Sequence, residues 1–482
     1  MILRPNPLDS LFLAIDEAWR RCRLAPPDLH LVLECRGRVD VDGLRRALRA
    51  LRRLYPATAG RLRFSWLRQQ PYWRLNGASQ PAEPSLRQPA MRQPPTREPE
   101  TCEPETWEPE TRAPSVALHG LSPPTAAALD EQIARRAAQR IDYATQPPLR
   151  LDVYRGLPRG DVVVARWPHA LTDAVGGVTL VGELARLYDE APELDTLRSR
   201  GDELRTDFGA LNPSVPFGQC LRTALAGARD AAMPSGWGDV RLCPTALAGR
   251  ERLRHVVRRM SAEETRAMRE CSTLVAGFGR LGAFVRAAGI RAINELAPAP
   301  SSDRIGHTTL HLVDNRRKRD FGPVCRNVFS TLLVYAPGRI ASDRRAMVQH
   351  VHAQTTEVVR AGLMQQRLTA LQALALLPTP LLASLMERSI RRGEPSWPLS
   401  VAPTMPLGFI GAPRRAERSF CGAELENHYV LRTTSPLTGF SLQANLTHDR
   451  MNISASFYEP RVTADLMREL LERIVVSLTR GP

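Results

Sequence analysis

The stretch TGFSLQANLTHDRMNISASFYEP, residues 438–460, constrains the fold more than any other. Phe440, Leu442, Ala444 and Leu446 alternate along one arm; Met451, Ile453, Ala455 and Phe457 alternate along the other. Successive side chains of a strand point to opposite faces, so this pattern predicts a hairpin with one buried face and HDR at its turn. A hairpin alone is at best marginal in water and needs more strands or a helical layer beside it. A last helix, expected at 462–478, closes the chain.

The rest of the sequence mixes the same two periods. Leu29, Leu31, Leu33 and Cys35 fall on one face of a strand, and Val41, Leu44, Leu48, Leu51 and Tyr55 follow at helical spacing, ending before Pro56. A helix is expected at 124–140, and strands at 149–154 and 161–167 around the turn GLPRG. Leu180, Val181, Leu184, Leu187 and Tyr188 mark an amphipathic helix. The second half reads as a strand at 252–259, a helix at 262–271 with the capping-box pair Ser261 and Glu264, an apolar helix at about 279–296, a strand within 307–317 and a helix at 343–361. Both halves therefore mix strands and helices in a similar layout, which predicts two α+β lobes, 1–195 and 246–482. The polar stretch 196–245, with several Pro and Gly, reads as the connection between them. Within the first lobe, residues 82–117 carry EPET at 98–101, 103–106 and 108–111. Proline at that density removes backbone donors, so an exposed, disordered insertion is expected, either a tolerated surface expansion or a docking tether.

At 482 residues and 43% hydrophobic, the chain can bury two cores. Its formal charge of +16 comes almost wholly from arginine, since Lys318 is the single lysine. That balance favours anionic partners such as phosphates, an acidic carrier protein or a lipid surface. No basic run interleaved with aromatics occurs, so nucleic acid is not expected. Cys22, Cys35, Cys102, Cys220, Cys243, Cys271, Cys325 and Cys421 lack CxxC or zinc-type spacing and read as reduced thiols of a cytoplasmic protein. The N-terminus carries acids after a short apolar piece and does not read as a signal peptide. Residues 368–386 are uncharged but interrupted by Pro378 and Pro380; a buried helix pair is the first reading, peripheral contact with a membrane surface the second.

Chemistry concentrates in ARWPHALTDAVGG, 165–177. His169 follows an apolar strand, where the chain leaves a sheet and a side chain can face a cleft. An imidazole there can take a proton near neutral pH. Asp173 and Gly176–Gly177 lie at fixed offsets from it. The rival motif GFGRLG, 277–282, satisfies GxGxxG, but no acidic residue closes a following strand as a dinucleotide site requires. No phosphate-loop or GxSxG pattern exists. His307 and His311 are four apart in an extended stretch, and His350 and His352 diverge on a helix, so no metal site is expected.

WPHALTDAVGG resembles the HHxxxDG motif of the condensation-domain and acyl-CoA-dependent acyltransferase superfamily. PLDSLFLAIDE is similar to the opening of bacterial wax ester synthase/diacylglycerol acyltransferases and stand-alone condensation proteins, and LRRALRALRRLYPATAGRLRF, 44–64, to their early helix and strand. VGELARLYDE, 181–190, resembles the helix after the motif, and HLVDNRR, 311–317, a strand ending in an Asn-x-Arg element. The resemblance covers most of the chain outside 82–117. It implies two chloramphenicol-acetyltransferase-like lobes forming a pseudo-dimer with a channel between them. It implies His169 as the general base that deprotonates an alcohol or amine attacking a thioester. Asp173 is then the aspartate that orders the loop by pairing with an arginine, for which Arg316 is the candidate and Arg317 lies close behind. No bound cofactor is implied; acyl-CoA or a phosphopantetheinyl carrier protein would be the co-substrate. Two departures stand out: Pro168 replaces the first His, and Ala174 the glycine after the aspartate. They leave a non-catalytic carrier-binding member as an alternative. PLGFIGAP, 406–413, with Gly408 and Gly411, is the candidate for a later channel loop.

Overall fold

The chain builds two main sheets, which touch where a strand of one lies against two strands of the other. The computed structural model describes residues 2–3, 5–65, 71–75, 115–197, 236–314, 316, 325–361, 377–394, 405–410, 418–447 and 449–480. Most of the 82–117 insertion and of the 196–245 connection lies outside them.

The first half runs β1 (Ile2–Leu3), α1 (Pro7–Arg21), β2 (Asp28–Arg36), α2 (Val41–Leu54), β3 (Arg61–Phe64), β4 (Pro71–Arg74), β5 (Val116–Gly120), α3 (Ala126–Ala138), β6 (Arg150–Arg155), β7 (Val162–Pro168) and α4 (Ala174–Glu190). The second runs β8 (Gly238–Asp239), β9 (Arg252–Arg259), α5 (Ala262–Ala276), α6 (Leu281–Leu296), β10 (Ile305–Asp314), β11 (Phe329–Pro337), α7 (Arg344–Arg360), α8 (Thr379–Arg392), β12 (Met405–Ile410), β13 (Ser419–Phe420), β14 (Ala423–Arg432), β15 (Phe440–Thr447), β16 (Arg450–Glu459) and α9 (Ala464–Thr479). The elements read from periodicity are present. The α5 cap forms as its spacing requires: Glu264 N–H donates to Ser261 Oγ at 3.1 Å, and Ser261 N–H to Glu264 Oε2 at 2.7 Å.

The N-terminal sheet has the order β13-β14-β2-β7-β6-β5. Its core packs Leu44, Leu48 and Leu51 of α2 and Leu180, Val181 and Leu184 of α4 against Leu31, Leu33, Val163 and Trp167. The C-terminal sheet has the order β11-β10-β12-β15-β16-β9 with β8 beside β10, and Leu442, Ala444, Ile453 and Phe457 face a layer of α5, α6, α7 and α9.

The lobe boundary expected at 246 is crossed. β14 pairs antiparallel with β2 from Glu424↔Arg36 to Arg432↔Leu29, so residues 419–432 belong to the N-terminal sheet. Both faces of β14 are apolar, which a single-face pattern does not convey: Leu425 and Val430 enter the α2–α4 core, and Tyr429 and Leu431 a second cluster with Leu129 and Ile133 of α3. β14 is also the seam between lobes. Val430 N–H donates to Asn445 Oδ1 at 3.2 Å, Ser454 Oγ to Val430 O at 3.0 Å, and Asn452 Nδ2 to Asn427 Oδ1 at 2.7 Å. The C-terminal sheet thus has a helix-covered apolar face and a hydrogen-bonding face turned to the other lobe.

GFGRLG is a turn between two helices. Gly277 ends α5 with φ +85° and Gly279 follows at +79°, a region that favours glycine, before α6 begins. A helix, not a strand, precedes the motif, which removes the dinucleotide reading. Of the uncharged stretch 368–386, residues 368–376 lie outside the described ones; in α8, Leu382, Ala383 and Met386 are buried against Ala14, Ala18 and Trp19 of α1. Among the described residues no single helix is long and apolar enough to cross a membrane.

Candidate active site

β7 is buried along its whole length and delivers His169 one residue past its end. His169 N–H donates to Pro27 O at 3.1 Å, Leu171 N–H to Pro168 O at 2.9 Å, and the Trp167 indole N–H to Thr172 O at 3.2 Å, which fixes the loop. Asp173 then caps α4 by accepting from Gly176 N–H at 2.8 Å.

Asp173 does more than cap. Its Oδ1 also accepts from Arg316 Nη2 at 2.8 Å, and its Oδ2 from Val328 N–H at 2.9 Å. The carboxylate therefore ties the start of α4 to the end of β10 and the approach to β11 in the other lobe. Arg316 also donates to Arg326 O at 2.5 Å and to Asp314 Oδ1 at 2.9 Å. The two carboxylates hold the Arg316 pKa above its ordinary value although burial pulls it down. The sequence-expected pair thus exists; Arg317 lies outside the described residues.

Both glycines of the motif are demanded by close approach. A Cβ on Gly176 would stand 2.0 Å from Thr172 Oγ1 and 3.0 Å from Arg316 Nη2; one on Gly177 would stand 1.9 Å from Trp167 Cζ2. The two departures from the family motif sit without strain. Pro168 closes β7 opposite Asp28, and Ala174 is the first residue of α4 rather than a positive-φ position. Gly408 differs from expectation: it lies inside β12, between β10 and β15, where a Cβ would meet Gln443 Oε1 at 2.1 Å. It belongs to a strand, not a channel loop. Gly411 lies outside the described residues.

The His169 ring is partly exposed and lies at the seam. Phe12 of α1 stacks on one face at 3.5 Å between centroids, 9° between planes, and Phe329 of β11 is tilted against it at 5.8 Å. His169 Nδ1 is 3.1 Å from Asn327 Oδ1. The amide orientation follows from its other partners. Asn327 Nδ2 is 2.6 Å from His169 O and 2.7 Å from Asp9 Oδ1, both acceptors, so the amide nitrogen must face them and the oxygen must face the ring. Nδ1 then carries the hydrogen, and Nε2 keeps a lone pair with no hydrogen-bond partner among the described residues.

Burial lowers the His169 pKa to about 4, opposed by the Asp173 charge and by the hydrogen bonds at the ring, so the imidazole is neutral at pH 7. Asp9 is buried and pushed up to about 6, held down in part by Arg326 and Asn327; its Oδ2 accepts from Asn6 N–H at 2.8 Å in the α1 capping box. Asn327 and Asp9 are the site residues that sequence reasoning missed. Asp9 offers one local signal, the Asn6-x-x-Asp9 cap spacing. Asn327 offers none, because it acts only through residues far away in sequence.

Among the described residues no group of three or more His, Cys, Asp or Glu could hold a metal ion. His307 is 3.1 Å from Asn294 Oδ1, and His311 is buried in the C-terminal core. Among the described residues Cys22, Cys35, Cys243 and Cys271 are free thiols.

No family model matches this sequence, and no curated protein does. Solved structures match over nearly all of it. The first condensation domain of the calcium-dependent antibiotic synthetase is 14% identical, with 99% of this chain and 96% of that one covered at a TM-score of 0.65. The trichothecene 15-O-acetyltransferase of Fusarium sporotrichioides is 13% identical, with 98% and 93% covered at 0.64. An epimerization domain of tyrocidine synthetase is 11% identical, with 99% and 95% covered at 0.62. At these identities the likeness is one of fold: the chain has the two-lobed, chloramphenicol-acetyltransferase-like architecture of condensation domains and the acyltransferases built like them.

Proposed function

We propose that this protein is an acyltransferase that moves an acyl group from a CoA or carrier-protein thioester to an alcohol or amine, with His169 as general base. The observation that carries this reading is the tautomer of His169: Asn327 Oδ1 occupies Nδ1–H at 3.1 Å, leaving the Nε2 lone pair to accept a proton. Nε2 takes the proton of the acceptor as its oxygen or nitrogen adds to the thioester carbonyl. The tetrahedral adduct collapses, the carbon–sulfur bond breaks, and the leaving thiolate recovers the proton from Nε2. The products are an ester or amide and a free thiol. No covalent enzyme intermediate is required, because holding both substrates at one base supplies much of the rate. Asp173 and Arg316 keep the loop and the two lobes in register and do not touch the reacting atoms.

A stand-alone condensation enzyme that accepts only carrier-bound substrates is the nearest alternative, supported by the likeness to condensation domains. A non-catalytic carrier-binding member is the second; the Phe12 ring stacked on His169 and the proline before it favour that reading. Thiol release, followed with acyl-CoA and with acyl-loaded carrier protein, separates all three. The proposal expects release with at least one donor class and a fall of about 100-fold or more in His169→Ala. Release only from the carrier selects the condensation enzyme. Carrier binding without release, unchanged by His169→Ala, overturns the catalytic reading.

A further inference from the structure

We infer a second binding site, for a phosphate-bearing small molecule, in a cleft on the outer helices of the C-terminal lobe. The cleft has a volume of about 530 Å³ and is walled by the C-terminal end of α5, the later turns of α6, the start of α7 and the end of α9. It lies on the helix-covered face of the C-terminal sheet, opposite the face that carries the seam with the other lobe, and is therefore separate from His169.

Four arginines line it: Arg291, Arg344, Arg345 and Arg480. Two carboxylates stand among them, and both are engaged. Asp343 caps α7 by accepting from Ala346 N–H at 2.9 Å, and Glu295 accepts from Arg473 Nη1 at 3.1 Å. Arg291, Arg345 and Arg480 make no ion pair with any described residue. Arg344 is fixed in place: Nη1 donates to Arg480 O at 2.6 Å and the guanidinium lies over the Phe284 ring at 4.8 Å. Burial lowers the Arg344 pKa, opposed by Cys271, and the neighbouring Arg291 charge adds a smaller push down. Like charges held together at such a cost are the arrangement that a multivalent anion relieves.

The volume exceeds what one small anion fills and falls in the range of small-molecule sites. Val275 and Val476 give the cleft an apolar wall beside the cations. Together these features fit a ligand with two linked phosphates on an organic body.

Inorganic pyrophosphate and ADP are the probes, titrated calorimetrically into the intact protein at fixed ionic strength. Saturable binding of one equivalent is expected, tighter for ADP than for pyrophosphate because of the apolar wall. Arg291→Gln with Arg345→Gln should weaken it at least about tenfold. Arg345→Gln alone, on an exposed side chain, should weaken it measurably and guards against misfolding of the double variant. Arg266→Gln, exposed on α5 outside the cleft, should leave it unchanged. Equal loss in Arg266→Gln, or affinity unchanged in the cleft variants, overturns the site and reduces the binding to the general charge of the protein. Thiol release by His169 is not part of this readout, so the two proposals fail independently.

Discussion

His169 owes its protonation state to residues it does not adjoin in sequence. Burial moves its pKa from 6.5 to about 4, so protonation removes the base only in strong acid. With an alcohol acceptor, which does not titrate in this range, kcat/KM should vary by less than about twofold between pH 5.5 and 8. An acid limb near 6.5 would contradict this and describe a solvated ring. Asn327 is a positioning residue on the same argument. Asn327→Ala removes the acceptor at Nδ1 and leaves both tautomers available, so kcat should fall about tenfold, the worth of one hydrogen bond, with KM little changed. A merely structural loss would instead appear in the urea midpoint with kcat per folded molecule preserved.

At the scale of elements, the strand–loop–helix of β7, His169–Asp173 and α4 is the part of the site that sequence made legible. Its signals are local: an apolar strand, a cap residue, two glycines at fixed spacing. Gly177 can be tested directly. The Trp167 ring that a Cβ would strike is fully buried, with little room to turn aside, whereas the Thr172 hydroxyl facing Gly176 sits on a rotatable bond. Gly177→Ala should therefore cost about 1–3 kcal/mol by urea denaturation, and more than Gly176→Ala. The opposite ranking would mean that α4 moves as a unit. What sequence did not convey is non-local. β14 lies within the C-terminal half in chain order, between β12 and β15, but joins the N-terminal sheet, because both its faces find apolar partners there. Gly408 lay in a plausible loop pattern, yet the register Gly408↔Gln443 puts it in a strand. Asn327 and Asp9 meet His169 only once α1 and the start of β11 are folded against the motif.

The molecule as a whole carries its polar groups in unusual places, and this sets its response to acid. His169, His255 and His307 are lowered by burial to about 4, and His30 and His311 are held well below 6.5. Unfolded, each takes a proton as pH falls through 6.5; folded, each resists until well below that. The unfolded chain then binds more protons, so stability is lost as pH drops below 6.5. Asp9 and Asp16 work the other way: burial raises both to about 6, so between 6 and 3.8 the folded state holds their protons more tightly and gains. Five histidines outweigh two carboxyls, and the urea midpoint should fall between pH 7 and pH 5. His311 offers the sharpest check, because it is fully buried with neither ring nitrogen bonded within the described residues. His311→Leu keeps the bulk and removes a group whose protonation is worth about 1.4 kcal/mol per pH unit. Its advantage over the parent should grow as pH falls from 7 to 5. An advantage independent of pH would mean that the imidazole is already solvated or paired in the folded protein.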